Sequence, residues 1–148
     1  MFKRHAPTAA RVLLGLIFFV FGLNGFLNFI PQPPQAAAGG AFLGALAATG
    51  YMFPLIKGTE VVAGAMLLGN RFVPLALTLL APIVVNIALF HSLLTPAFPM
   101  VVALLGLEIF LAWSYRDSFR GVLTAQAKPA VSADTAVSAP AAAAPSRA

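Results

Sequence analysis

Apolar residues run through this chain in long blocks separated by short polar or small-residue breaks. Residues 12–30, VLLGLIFFVFGLNGFLNFI, form the first block and stop at Pro31. Residues 51–68 form a second, closed by the turn Gly69–Asn70–Arg71. A third covers 72–90 and a fourth 97–115, with HSLLTP between them. Each block approaches the roughly 20 residues that a helix needs to cross a bilayer. The pattern predicts an all-α integral membrane four-helix bundle, with spans at about 11–30, 51–68, 72–90 and 97–115. The first block is longer than the apolar core of a cleaved signal peptide, so it is expected to stay as a helix.

The breaks refine the picture. PQPPQ at 31–35 stops a helix. AAAGGAFLGALAATG at 36–50 is small, Gly-rich and weakly apolar, and reads as a short extra helix at the surface or slightly re-entrant. Pro74 falls in the first turn of its helix, where proline costs little. Pro82 falls mid-helix and frees a backbone carbonyl that the Thr78 hydroxyl is placed to help satisfy. Residues 1–10 form a basic head. Residues 119–148, rich in Ala, Pro and Ser, lack the bulk to fold and read as a disordered tail.

Lysine and arginine set the orientation. Lys3, Arg4 and Arg11 precede the first span, Arg71 joins the second to the third, and Arg116, Arg120 and Lys128 follow the fourth. The other two connections carry none, so both termini are expected to be cytoplasmic. Trp113 and Tyr115 suit the inner interface and Tyr51 the outer one. Of the 148 residues, 60% are hydrophobic and 9% charged, which excludes an ordinary soluble domain. The net charge of +5 is spread singly along the chain and builds no nucleic-acid surface. There is no cysteine, so disulfides, thiolate metal sites and iron–sulfur clusters are excluded.

Against this apolar background the polar residues stand out. With that orientation, Asn24, Asn28, Lys57, Glu60, Asn86 and His91 fall in the outer half of three spans, and Glu108 lies near the middle of the fourth. Such a bias to one leaflet suggests a polar pocket open to the outside. Lys57 and Glu60 lie three apart on one helical face and can pair, although Lys-before-Glu is the weaker order and leaves Glu60 a reason to reach Asn24 or Asn86. Lys57 can instead snorkel outward. Glu108 needs either a proton or a hydrogen-bond partner on another span. The alternative is that these groups are glue between helices, and that His91 is an ordinary loop residue. Gly15, Gly22, Gly58 and Gly64 are expected to permit close helix packing. The first and third spans each open at an arginine and reach an asparagine, and the second and fourth each hold a glutamate, a faint two-fold echo. No phosphate loop, nucleophile elbow or zinc-binding HExxH is present. Spacing alone does not establish a metal site at His91, Glu60 and Glu108.

The segments RVLLGLIFFVFGLNGFLNFI, GYMFPLIKGTEVVAGAMLLGNRFVPLALTLLAPIVVNIALFH and LAWSYRDSF resemble the DoxX family of small bacterial membrane proteins. The most specific parts are the E-x-x-A-G of the second span with LLGNRFVPLAL after it, and the P-x-x-x-N-x-x-x-x-H of the third. The resemblance covers about residues 9–120. It implies a four-helix bundle in the bacterial inner membrane and a loose link to redox complexes, the family being named for a subunit of an archaeal thiosulfate:quinone oxidoreductase. On that basis quinone is a candidate ligand, and oxidoreductase subunits or a homo-oligomer are candidate partners besides the lipid bilayer. Without cysteine, a direct thiol relay is not expected. Two other readings stay open: a non-catalytic carrier for a lipid or small amphiphile, and a structural or assembly protein.

Overall fold

The computed structural model describes residues 2–31 and 34–126, with side chains from His5 onward. The described residues are all-helical, with no strand. Five α-helices follow in order: α1 (Phe2–Leu27), α2 (Ala37–Ala48), α3 (Met52–Leu68), α4 (Val73–Leu89) and α5 (Phe98–Ser114). A π-helical turn, Phe90–Leu94, continues α4, and a 3₁₀ turn, Arg116–Phe119, follows α5. The chain divides into two units, Met1–Ser118 and Phe119–Ala148. Of the second, only residues 119–126 are described. They are exposed apart from the half-buried Phe119, and form turns in which the Leu123 N–H bonds the Phe119 carbonyl at 3.0 Å. The disorder expected for the tail falls mostly on residues outside those described.

Helix α1 packs most extensively against α3, and α5 closes the group by touching both α4 and α1. The α3–α4 connection is a four-residue turn in which Asn70 (φ 53°) and Phe72 (φ 52°) are left-handed. Asparagine adopts that conformation readily and a bulky phenylalanine rarely does. Short connections make α3 and α4, and α4 and α5, antiparallel. One end of the group therefore holds Arg11, Arg71 and Arg116. The other holds α2 and the π turn.

The apolar core is small and includes Leu14 and Phe18 of α1, Ala63 and Leu67 of α3, Val73, Ala76, Leu77, Leu80 and Val84 of α4, and Val101, Leu104 and Leu111 of α5. Large apolar side chains face outward on every long helix: Leu13, Phe21 and Phe26, Leu55 and Val62, Leu75 and Leu89, Val102 and Ile109. A water-soluble protein does not leave such a belt uncovered.

Among the described residues, two helices are long and apolar enough to cross a membrane, His5–Leu27 and Val73–Leu94, or three if α2 and α3, bent by 93°, make one broken span. The expected four are not all reached. Helices α3 and α5 have 17 residues each, about 26 Å at 1.5 Å per residue, which is short of a hydrocarbon core of about 30 Å.

Helix α1 also departs from its predicted limits. It begins at Phe2 and runs through Pro7, giving up one backbone hydrogen bond there. It ends at Leu27, and Asn28 follows with φ 49°, its N–H bonded to the Asn24 carbonyl at 2.9 Å.

Glycine sets the α1–α3 contact. A methyl placed on Gly64 would stand 2.6 Å from the Phe19 nitrogen and 2.9 Å from the Gly15 carbonyl oxygen. One on Gly22 would stand 2.9 Å from the Val61 nitrogen. Gly58 departs from expectation: nothing lies within 4 Å of where its Cβ would be. Gly64→Ala is therefore expected to force the two backbones apart and lower stability by about 2 kcal/mol or more. Gly58→Ala should be neutral or add up to about 1 kcal/mol by helix propensity. Thermal unfolding of the two purified variants in detergent checks this, and equal losses would contradict the packing.

Candidate functional site

The strongest polar feature lies within α3. Lys57 and Glu60 are one turn apart, and the Lys57 Nζ donates to both carboxylate oxygens, at 3.1 Å to Oε1 and 2.8 Å to Oε2. The lysine stem lies across Gly25 of α1, and the Phe53 ring sits 5.9 Å from its Nζ. Glu60 is 3% exposed, with its Cβ against Gly22. Of the partners open to Glu60, the structure thus selects Lys57 and not Asn24 or Asn86. Of the roles open to Lys57, it selects pairing over snorkelling.

Asn24 is also buried, at 3% exposure, and works locally. Its Oδ1 accepts from the Ile30 N–H at 2.6 Å and its Nδ2 donates to the Ile30 carbonyl at 3.2 Å. The carboxamide thereby mimics a strand partner and folds the chain back after α1. Asn28, expected on the same helical face, lies beyond the helix end and is exposed. It serves there as the left-handed residue that terminates α1, a position asparagine tolerates.

His91 lies in the π turn. A carbonyl can only accept, so its Nδ1 carries the proton donated to Thr95 O, at 3.1 Å. Its ring meets Phe90 edge-on at 5.0 Å, and Phe90 meets Phe42 of α2 at 5.8 Å. Gly39 of α2 is buried against Phe90 and Thr95. The Thr95 Oγ1 is buried without a hydrogen-bond partner among the described residues. This knot docks α2 on the group, and no motif in the sequence pointed to Gly39 or Thr95 in it.

Asn86 and Glu108 part company with the predicted cluster in opposite ways. Asn86 is exposed, on the face of α4 away from Val84 and Leu80. Glu108 is 8% exposed, on the inward face of α5 with Val101, Leu104 and Leu111, and its Oε2 has no hydrogen-bond partner among the described residues. The seven predicted residues therefore do not converge. Asn24, Lys57 and Glu60 lie along α1–α3, His91 in the π turn, Asn28 past a helix end, Asn86 outside and Glu108 inside. The two-fold echo breaks on the same contrast, since Asn24 is buried and Asn86 exposed.

The Thr78 hydroxyl bonds the Pro74 carbonyl at 2.9 Å, one turn before the carbonyl that Pro82 leaves free. A shallow apolar depression on the outer side of α3 and α4 is lined by Pro54, Leu55, Gly58, Thr59, Val62 and Leu79, none of them a predicted site residue. Arg11, read as a flanking charge, is 7% exposed and donates through Nη1 to the Leu67 and Leu68 carbonyls at the end of α3. A cation there satisfies orphan carbonyls and the helix dipole. Among the described residues no group of three His, Asp or Glu side chains is placed to hold a metal ion.

Comparison of the chain with known protein families, with curated proteins and with solved structures finds no match. The family reading rests on the sequence motifs alone.

Removing one member of the Lys57–Glu60 pair strands a buried charge. Lys57→Met should cost about 3–5 kcal/mol, and the double variant Lys57→Met/Glu60→Leu should regain most of it. Thermal unfolding of the single and double variants reads the difference. A double variant as unstable as the single one would show that the charge is not the cause.

Proposed function

We propose that this chain is a DoxX-like integral membrane protein, a four-helix bundle in the bacterial inner membrane with both termini cytoplasmic, acting as an accessory subunit of a membrane redox complex. The observation that carries the membrane reading is the belt of large apolar side chains facing outward on every long helix. The short α3 and α5 are accommodated by local thinning of the bilayer. Arg11, Arg71 and Arg116 at one end support the orientation.

The subunit reading is supported by the sequence resemblance and by where the polar groups are used. Lys57, Glu60, Asn24 and His91 bond within the chain. A quinone head group or a redox partner would then be met by outward-facing positions, with Glu108 left as a separate interior carboxyl, rather than by Glu60, Asn86 and His91 acting together. Two other readings have observations of their own. The apolar depression beside Gly58 suits an acyl chain, as a carrier for lipid would need. The internal fastening of α1 to α3 suits a structural or assembly role.

Native mass spectrometry of the protein released gently from its own membranes separates these readings. A retained quinone or oxidoreductase subunit is the expected result. A retained lipid without a protein partner would replace it with the carrier reading. The bare chain would leave the assembly reading in its place.

A further inference from the structure

The continuous helix Val73–Leu94 has 22 residues. Asn86 is 13 positions from one end and 8 from the other, hence about 20 Å and 12 Å away at 1.5 Å per residue. That places it roughly 4 Å past the midpoint of the span, on the exposed side. Nothing among the described residues hydrogen-bonds its side-chain amide. Thr78, Pro82 and Asn86 recur at intervals of four along this exposed face, opposite Val73, Ala76, Leu77, Leu80 and Val84. Pro82 has no N–H to give the Thr78 carbonyl, and the Thr78 hydroxyl is spent on Pro74. One face of α4 therefore presents, two turns apart, an unpartnered amide and a carbonyl deprived of its helical donor. Hydrocarbon satisfies neither.

We infer that this face pairs with the same face of a second copy, about a two-fold axis along the membrane normal, with the two Asn86 side chains hydrogen-bonded to each other. The inference rests on the proposed membrane-spanning reading of α4. A carboxamide is self-complementary: it offers a donor and an acceptor, so two of them make reciprocal bonds. Copies inserted in one direction bring residue 86 to the same depth without further design. A different partner would have to place a donor and an acceptor there independently. Helix α4 carries no charged residue to repel its copy, and Ala81 beside Pro82 leaves room for close approach. Within one chain, Glu60 is already held by Lys57 and Glu108 faces inward, so neither serves Asn86.

The chain has no cysteine, so one introduced cysteine reports alone. Leu89→Cys and Val85→Cys flank Asn86 on α4, and both native residues are exposed. Ile109→Cys, on the outward side of α5, is the control. The full chain in bacterial membranes is oxidised with copper phenanthroline and run on a non-reducing gel. The expected product is a species of twice the 15.4 kDa chain, formed from at least one of the two α4 variants and not from Ile109→Cys. Adding Asn86→Leu should cut its yield roughly tenfold, and Asn86→Gln should retain it. Cross-linking no faster than the Ile109→Cys control, a yield indifferent to Asn86→Leu, or an adduct of another mass would each overturn the pairing. An alkaline carbonate wash of the same membranes tests the underlying reading separately: a chain released by the wash does not span the bilayer, and the pairing falls with it.

Discussion

The close approach of α1 and α3 is the constraint on which the rest of this structure depends. In lipid, apolar helices gain little by leaving the tails for each other, so association falls to van der Waals contact and to polar fasteners. Gly15, Gly22 and Gly64 supply the first by letting backbone meet backbone. The fasteners sit on either side. Arg11 holds the α3 carboxyl end, and the Lys57 stem crosses α1 at Gly25. Moving forward along α1 from Arg11 to Gly25 moves back along α3 from Leu68 to Lys57. One antiparallel register thereby sets the burial of Glu60 and the reach of Arg11 together.

That register explains why an expensive pair of charges sits in so apolar a segment. A lysine and a glutamate on an isolated span would weaken insertion. Here each neutralises the other along the helix, and Gly22 and Gly25 give their stems room against α1. Such a pair need not be strongly stabilising, since burying ions costs about what their attraction returns. Its effect is on register: a slip of α1 along α3 would put side chains where Gly22 and Gly25 now leave room for the two stems.

The limits of α3, α4 and α5 were legible to within a residue or two, because a turn or a proline marks each of them. The start of α1 was not, because the basic head at residues 1–10 read as lying outside the span, whereas the helix already begins at Phe2. Which face each helix turns inward was much less legible. A helix for water shows its buried side as an apolar stripe, whereas one that is apolar all round has no such phase. Asparagine was the remaining cue, and it misled. Asn24 turns in, Asn86 turns out, and Asn28 ends a helix. The tightest glycines could be named but not separated from Gly58, whose chemistry is identical and whose neighbour is open space. Arg11 was read by its place in the chain as an interfacial charge, when its length lets it reach another helix's carbonyls from a buried position.

Among the described residues, Glu108 of α5 and Asn86 of α4 have no use in the chain's internal bonds, and they face different worlds. Glu108 is enclosed by its own bundle, so anything acting through it must enter between α5 and its neighbours or be a species as small as a proton or a water. Asn86 faces outward, so in the proposed membrane placement it is satisfied only by something already in the bilayer. A single ligand cannot serve both without unpacking α4 from α5. The redox reading, in which several polar residues would grip one head group, therefore has to be recast as two separate functions: an interior carboxyl and a membrane-facing amide, joined only through the packing of the helices that carry them.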